Sequence, residues 1–73
     1  MLNEVTIFKP NSRKREATIQ SFLPVQAADA LAERLGAEAG DKAKSSFRTM
    51  DRLDIDLLQF RVGDRRVRIK KHS

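Results

Sequence analysis

The side chains that usually do chemistry are scarce in this sequence, and their scarcity is informative. Its 73 residues hold one His and no Cys. His72 is the second-to-last residue, a position where chains fray. No nucleophile–base pair built on Cys or His is therefore expected in an ordered site. Asp51, Asp54 and Asp56 lie close enough in sequence to share a divalent cation, but the Gly and the distal Glu of an EF-hand loop are missing. A solvated strand start accounts for the same three carboxylates. The Gly residues stand apart at 36, 40 and 63, so no glycine-rich loop is expected to cradle a phosphate. The sequence points away from an enzyme, and it calls for no cofactor, no metal and no small-molecule substrate.

What remains is positive charge. Residues 1–60 carry nine Lys/Arg and nine Asp/Glu, and so sum to zero. Residues 61–73 carry Arg61, Arg65, Arg66, Arg68, Lys70 and Lys71 against Asp64 alone, so the whole formal charge of +5 sits there. A neutral body with a basic end suggests nucleic acid or an acidic partner, although a basic end can also simply aid solubility. A second basic cluster, Lys9, Arg13, Lys14 and Arg15, brackets Pro10-Asn11-Ser12. Those three are turn formers. The cluster reads as a loop for a protein partner, or as a solvated turn.

The elements that position these residues follow from periodicity. Residues 4–8 and 16–22 alternate as strands do, with Val5 and Ile7 on one face, and form a first hairpin around the basic loop. Pro24 fits the first turn of a helix. Val25, Ala28, Leu31, Ala32 and Leu35 make its apolar stripe, and Gly36 ends it. Residues 37–49 are small and polar and read as a flexible connection, with a short extra helix as the alternative. Residues 54–62 and 65–71 form a second hairpin around Gly63-Asp64, a suitable two-residue turn. That turn pairs Val62 with Arg65, Phe60 with Val67, and Leu58 with Ile69 on an apolar face. Arg61 with Arg66, Gln59 with Arg68, and Leu57 with Lys70 fall on the other.

The expected fold is therefore α+β, a small antiparallel sheet of two hairpins with one helix, in the order β-β-α-β-β. It is a single domain over 1–73, with a frayed basic end at 70–73. The expected core is Val5 or Ile7, Ile19, Leu31, Leu35, Leu58, Phe60, Val67 and Ile69. The basic face lines up Arg61, Arg66, Arg68 and Lys70, and like charges opposite each other destabilise a sheet. Phosphates or carboxylates of a partner would relieve that cost, and the Arg fork suits both. A solvated outer face is the alternative. No exposed aromatic interleaves with the patch, so contact with nucleic acid would be to backbone phosphate without sequence choice. The N-terminus lacks the features of a signal peptide, and no apolar run approaches the ~20 residues that span a bilayer. A cytoplasmic protein with no membrane partner is expected.

The opening Met1-Leu2-Asn3-Glu4-Val5-Thr6-Ile7-Phe8-Lys9 and the end Arg65-Arg66-Val67-Arg68-Ile69-Lys70-Lys71-His72-Ser73 resemble the small RNA-polymerase-binding transcription regulators of lytic Xanthomonas phages. The resemblance implies a non-catalytic phage protein, cytoplasmic in the host cell. It would bind bacterial RNA polymerase near the RNA exit channel, inhibit promoter-dependent initiation and promote antitermination, with an elongation factor as a further partner. It assigns no contact residue. A stand-alone module for non-specific nucleic-acid binding, and a phage inhibitor of another host machine such as a CRISPR effector, share the same features.

Overall fold

Strand alternation builds four antiparallel strands, and the elements run β-β-α-α-β-β along the chain. The computed structural model describes residues 1–72; Ser73, the last residue of the expected frayed end, lies outside them. The strands are β1 (Leu2–Phe8), β2 (Arg15–Ser21), β3 (Leu57–Val62) and β4 (Arg65–His72), and the helices are α1 (Pro24–Leu35) and α2 (Ala37–Leu53). The sheet order is β2-β1-β4-β3. The two hairpins are thus joined through the first and last strands, which take the centre and leave β2 and β3 at the edges.

All six cross-strand pairs expected for the second hairpin are present. Gly63, at φ 62°, supplies the positive φ that a II′ turn asks of its first central residue. The central pairing sets Val5 opposite Ile69 and Ile7 opposite Val67, so the apolar faces of both hairpins merge. The basic end is not frayed over its described part: Lys70, Lys71 and His72 pair with Glu4, Asn3 and Leu2. Backbone pairing to a central strand holds what terminal position alone would leave loose.

The expected polar connection at 37–49 is helical instead, as the greater part of α2. Its segment is rich in Ala, Lys, Glu and Arg, which are good helix formers. Its buried stripe is Ala39, Gly40, Ala43, Ser46, Phe47 and Met50. Small residues there let α2 approach α1 closely: a Cβ at Gly40 would lie 2.8 Å from the Ala32 Cβ and 3.3 Å from the Ala28 carbonyl oxygen. Only Gly36 separates the helices. At φ 98° it donates its N–H to Ala32 O at 2.7 Å and accepts from Ala39 N at 3.1 Å, so one residue closes α1 and opens α2.

Both helices cover one sheet face. Val5, Ile7, Ala27, Ala28, Leu31, Ala39, Ala43, Phe47, Met50, Val67 and Ile69 form the core, with Ile19, Leu35, Leu58 and Phe60 partly buried against it. The buried stripe of α1 is Ala27, Ala28 and Leu31. Val25, expected on that stripe, is more than half exposed. The other sheet face carries no helix. No helix among the described residues is long and apolar enough to cross a membrane.

Candidate functional site

Alternation along β4 divides its cations between the two faces of the sheet. Arg66, Arg68 and Lys70 point away from the helices, and Arg61 sits directly opposite Arg66. Arg65 and Lys71 fall on the helix side with Val67 and Ile69. There they are already neutralised. Arg65 forks onto Glu16, with Nε donating to Oε2 at 3.1 Å and Nη2 to Oε1 at 3.2 Å. That fork holds the Glu16 carboxyl below its ordinary range and raises the Arg65 guanidinium. Lys71 Nζ donates to Asp51 on α2, and its side chain is only 11% exposed. These two expected contact residues therefore belong to the scaffold, because strand parity turns them toward the carboxylates of β2 and α2.

The four outward cations have no carboxylate within 4.0 Å among the described residues. What holds the Arg side chains is an aromatic ring. Phe8 ends β1 on the open face. The Arg66 Cζ lies 4.3 Å from its ring centroid and the Arg68 Cζ 5.4 Å, within cation–π range. Phe8 as a whole is only 5% exposed, and two guanidinium groups lie over its ring. The Nε atoms of Arg66 and Arg68 are buried and meet no acceptor among the described residues. Stacking fixes these side chains without consuming their charge.

The sequence predicts no exposed aromatic among the basic residues, and Phe8 is a buried one. It interleaves beneath the Arg layer, where it cannot stack on a base. Its parity relative to Val5 and Ile7 already placed it on the outer face. What no local pattern could reveal is that β1 lies beside β4.

The same pairing brings the two basic clusters together. The β1–β2 loop and the β3–β4 turn sit at one end of the sheet, and Lys9, Asn11, Ser12 and Arg13 of the loop face Arg61 and Arg66 across an open cup of about 330 Å³. The loop is closed by its own hydrogen bonds. Lys9 N donates to Lys14 O at 2.9 Å, Ser12 N to Lys9 O at 3.2 Å, and Lys14 N to Ser12 Oγ at 3.0 Å. Asn11 takes the left-handed region at φ 52°, which Asn tolerates at turn tips. Lys14 and Arg15, named with this loop, are exposed and do not line the cup.

The other reactive side chains do not converge. His72 Nε2 lies 3.6 Å from Glu4 Oε2 at the end of the face remote from the cup. Asp51 is tied to Lys71, and Asp54 caps α2 in the left-handed region at φ 53°. Among the described residues no three of His, Asp or Glu are placed to hold a metal ion. The chain matches no known family model, no curated protein and no solved structure.

Proposed function

We propose that this chain is a non-catalytic binding protein whose open sheet face holds the phosphate backbone of nucleic acid without reading its sequence. The observation that carries the proposal is the row of Arg61, Arg66, Arg68 and Lys70 on a face that no helix covers, none of them within 4.0 Å of a carboxylate among the described residues. Backbone contact by such cations releases counterions and is steeply salt-dependent. Four phosphates correspond to a log–log salt slope of roughly −3 on a single strand and roughly −4 on a duplex. The outer planes of Arg side chains stacked on Phe8 also suit sequence-tolerant stacking on unpaired bases.

A second reading sets this face to work on a bacterial transcription complex, as the resemblance of the chain's two ends implies. In it the protein is a phage regulator that binds host RNA polymerase, inhibits promoter-dependent initiation and promotes antitermination. One observation favours it: Phe22, Leu23 and Val25 are exposed together, Phe22 at 72%, at the end of the sheet opposite the cup. Exposed apolar residues in a run mark protein contacts.

Affinities for naked oligonucleotides and for free polymerase across a salt series distinguish the readings. The first expects oligonucleotide binding with the slopes above, shallower by about 0.7–0.9 for each cation removed among Arg61, Arg66, Arg68 and Lys70. The second expects polymerase binding that Phe22→Ser weakens while oligonucleotide binding stays. Absence of oligonucleotide binding at low salt would refute the first, and absence of polymerase binding the second.

A further inference from the structure

Two arrangements of cations meet at Arg66, and they suit different anions. Along β4 the outward cations recur at every second residue, about 7 Å apart, which presents one charge per step, as successive phosphodiesters do. The cup is different. Lys9 and Arg13 from the loop, Arg61 from β3 and Arg66 from β4 share one depression, with Asp64 the only carboxylate on its lining among the described residues. Four cations against one anion leave a local charge of +3, too much for a single phosphodiester but suited to a group that concentrates charge. A terminal phosphate monoester carries about −1.5 to −2 at neutral pH, and a terminal triphosphate carries more.

The loop backbone and Arg66 are held in place before any ligand arrives. The loop's three internal hydrogen bonds set its shape, and Phe8 holds Arg66. Ser12 Oγ accepts from Lys14 N, which leaves its own O–H free to donate. Asn11 adds neutral donors at the tip. At about 330 Å³ the space compares with roughly ten water molecules, room for a di- or triphosphate but not for a folded duplex end. We infer that the cup takes the phosphorylated terminus of a nucleic-acid strand whose following phosphodiesters lie along Arg66, Arg68 and Lys70. This rests on the reading of the open face as a backbone-binding surface, and it adds a polarity to that surface.

Short RNAs of one sequence bearing a 5′-hydroxyl, a 5′-monophosphate or a 5′-triphosphate test it, with inorganic pyrophosphate and ATP as separate probes. The triphosphate RNA should bind about tenfold or more tighter than the hydroxyl RNA, the scale of one added charge-assisted hydrogen bond. The monophosphate should fall between them. Arg13→Gln, on an exposed loop, should collapse the triphosphate-to-hydroxyl ratio to below about twofold, whereas Arg48→Gln on α2 should keep it. Equal affinity for all three RNA ends would overturn the terminus assignment while leaving backbone binding in place. Pyrophosphate or ATP binding as tightly as the triphosphate RNA would overturn the strand and make the ligand a free polyphosphate. No binding of any RNA would remove the backbone reading itself, and the inference with it.

Discussion

Replacing Gly40 by Ala sets helix propensity against packing, and the structure decides the sign. In an exposed helix the change stabilises by about 1 kcal/mol, because Gly costs that much more than Ala to order. Here the new Cβ would lie 2.8 Å from the Ala32 Cβ, well inside the ~3.5–4.0 Å at which carbon atoms attract, and a tight 3.3 Å from the Ala28 carbonyl oxygen. Both neighbours belong to α1, so relief requires the helices to separate over a core in which Ala27, Ala28 and Leu31 are fully buried. Overpacking of this kind costs about 1–3 kcal/mol, leaving a net loss of up to about 2 kcal/mol. A loss of 1 kcal/mol lowers Tm by about 4–8 °C in a domain of this size. Ala32→Gly removes the closest atom and alone costs about 1 kcal/mol. The double variant should then be more stable than the sum of the single changes predicts, by about 1 kcal/mol. Urea unfolding followed by far-UV circular dichroism measures all four proteins. A Gly40→Ala variant more stable than the parent, with no coupling to position 32, would mean that α2 does not seat on α1 as described.

Leu31→Ala empties a fully buried position between the helices and the sheet and should cost about 2–5 kcal/mol in the same assay; a loss below about 1 kcal/mol would place Leu31 outside the core. Phe8→Leu keeps an apolar plug but removes the cation–π support of Arg66 and Arg68, worth about 0.5–1 kcal/mol at such sites. It should broaden the Arg66 Nε–H signal in NMR spectra and weaken oligonucleotide binding, and unchanged behaviour in both would make the ring a mere spacer. Glu16 has a folded pKa lowered from its ordinary 4.5, chiefly by hydrogen bonding from Arg65. Its stabilisation is therefore present above the unfolded pKa and fades as pH falls through the folded value. Arg65→Gln should bring the NMR titration midpoint of Glu16 back up toward 4.5, and an unmoved midpoint would show that the fork does not form in solution.

The second hairpin was legible because one local device determines it. Gly63-Asp64 fixes the turn, the turn fixes the register, and the register alone separates Arg61, Arg66, Arg68 and Lys70 from Arg65 and Lys71. Taking all six as one contact surface ignored that parity. Helix α1 was legible from Pro24 to Leu35 because Pro and Gly36 bound it. Helix α2 was hidden because its buried stripe is mostly Ala, Gly and Ser, which reads as polar and small when size is taken for hydrophobicity. The same smallness lets the helices approach. The sheet order was illegible for a different reason: the contact between β1 and β4 spans nearly the whole chain, and no turn encodes it. That one contact places Phe8 beneath Arg66 and brings the basic loop to the cup.

Which face meets nucleic acid is the central claim, and amide chemical-shift mapping tests it most directly. The ¹⁵N-labelled chain would be titrated with a short single-stranded oligonucleotide at low salt and again at higher salt. The account predicts that the largest shifts fall at residues 61, 66, 68 and 70 and in loop residues 9 and 11–13, and that they shrink as salt displaces the phosphates. Shifts concentrated on α1 and α2, around Lys44 and Arg48, would contradict it, because the nucleic acid would then lie on the helical layer and the open basic face would be only a solvated surface.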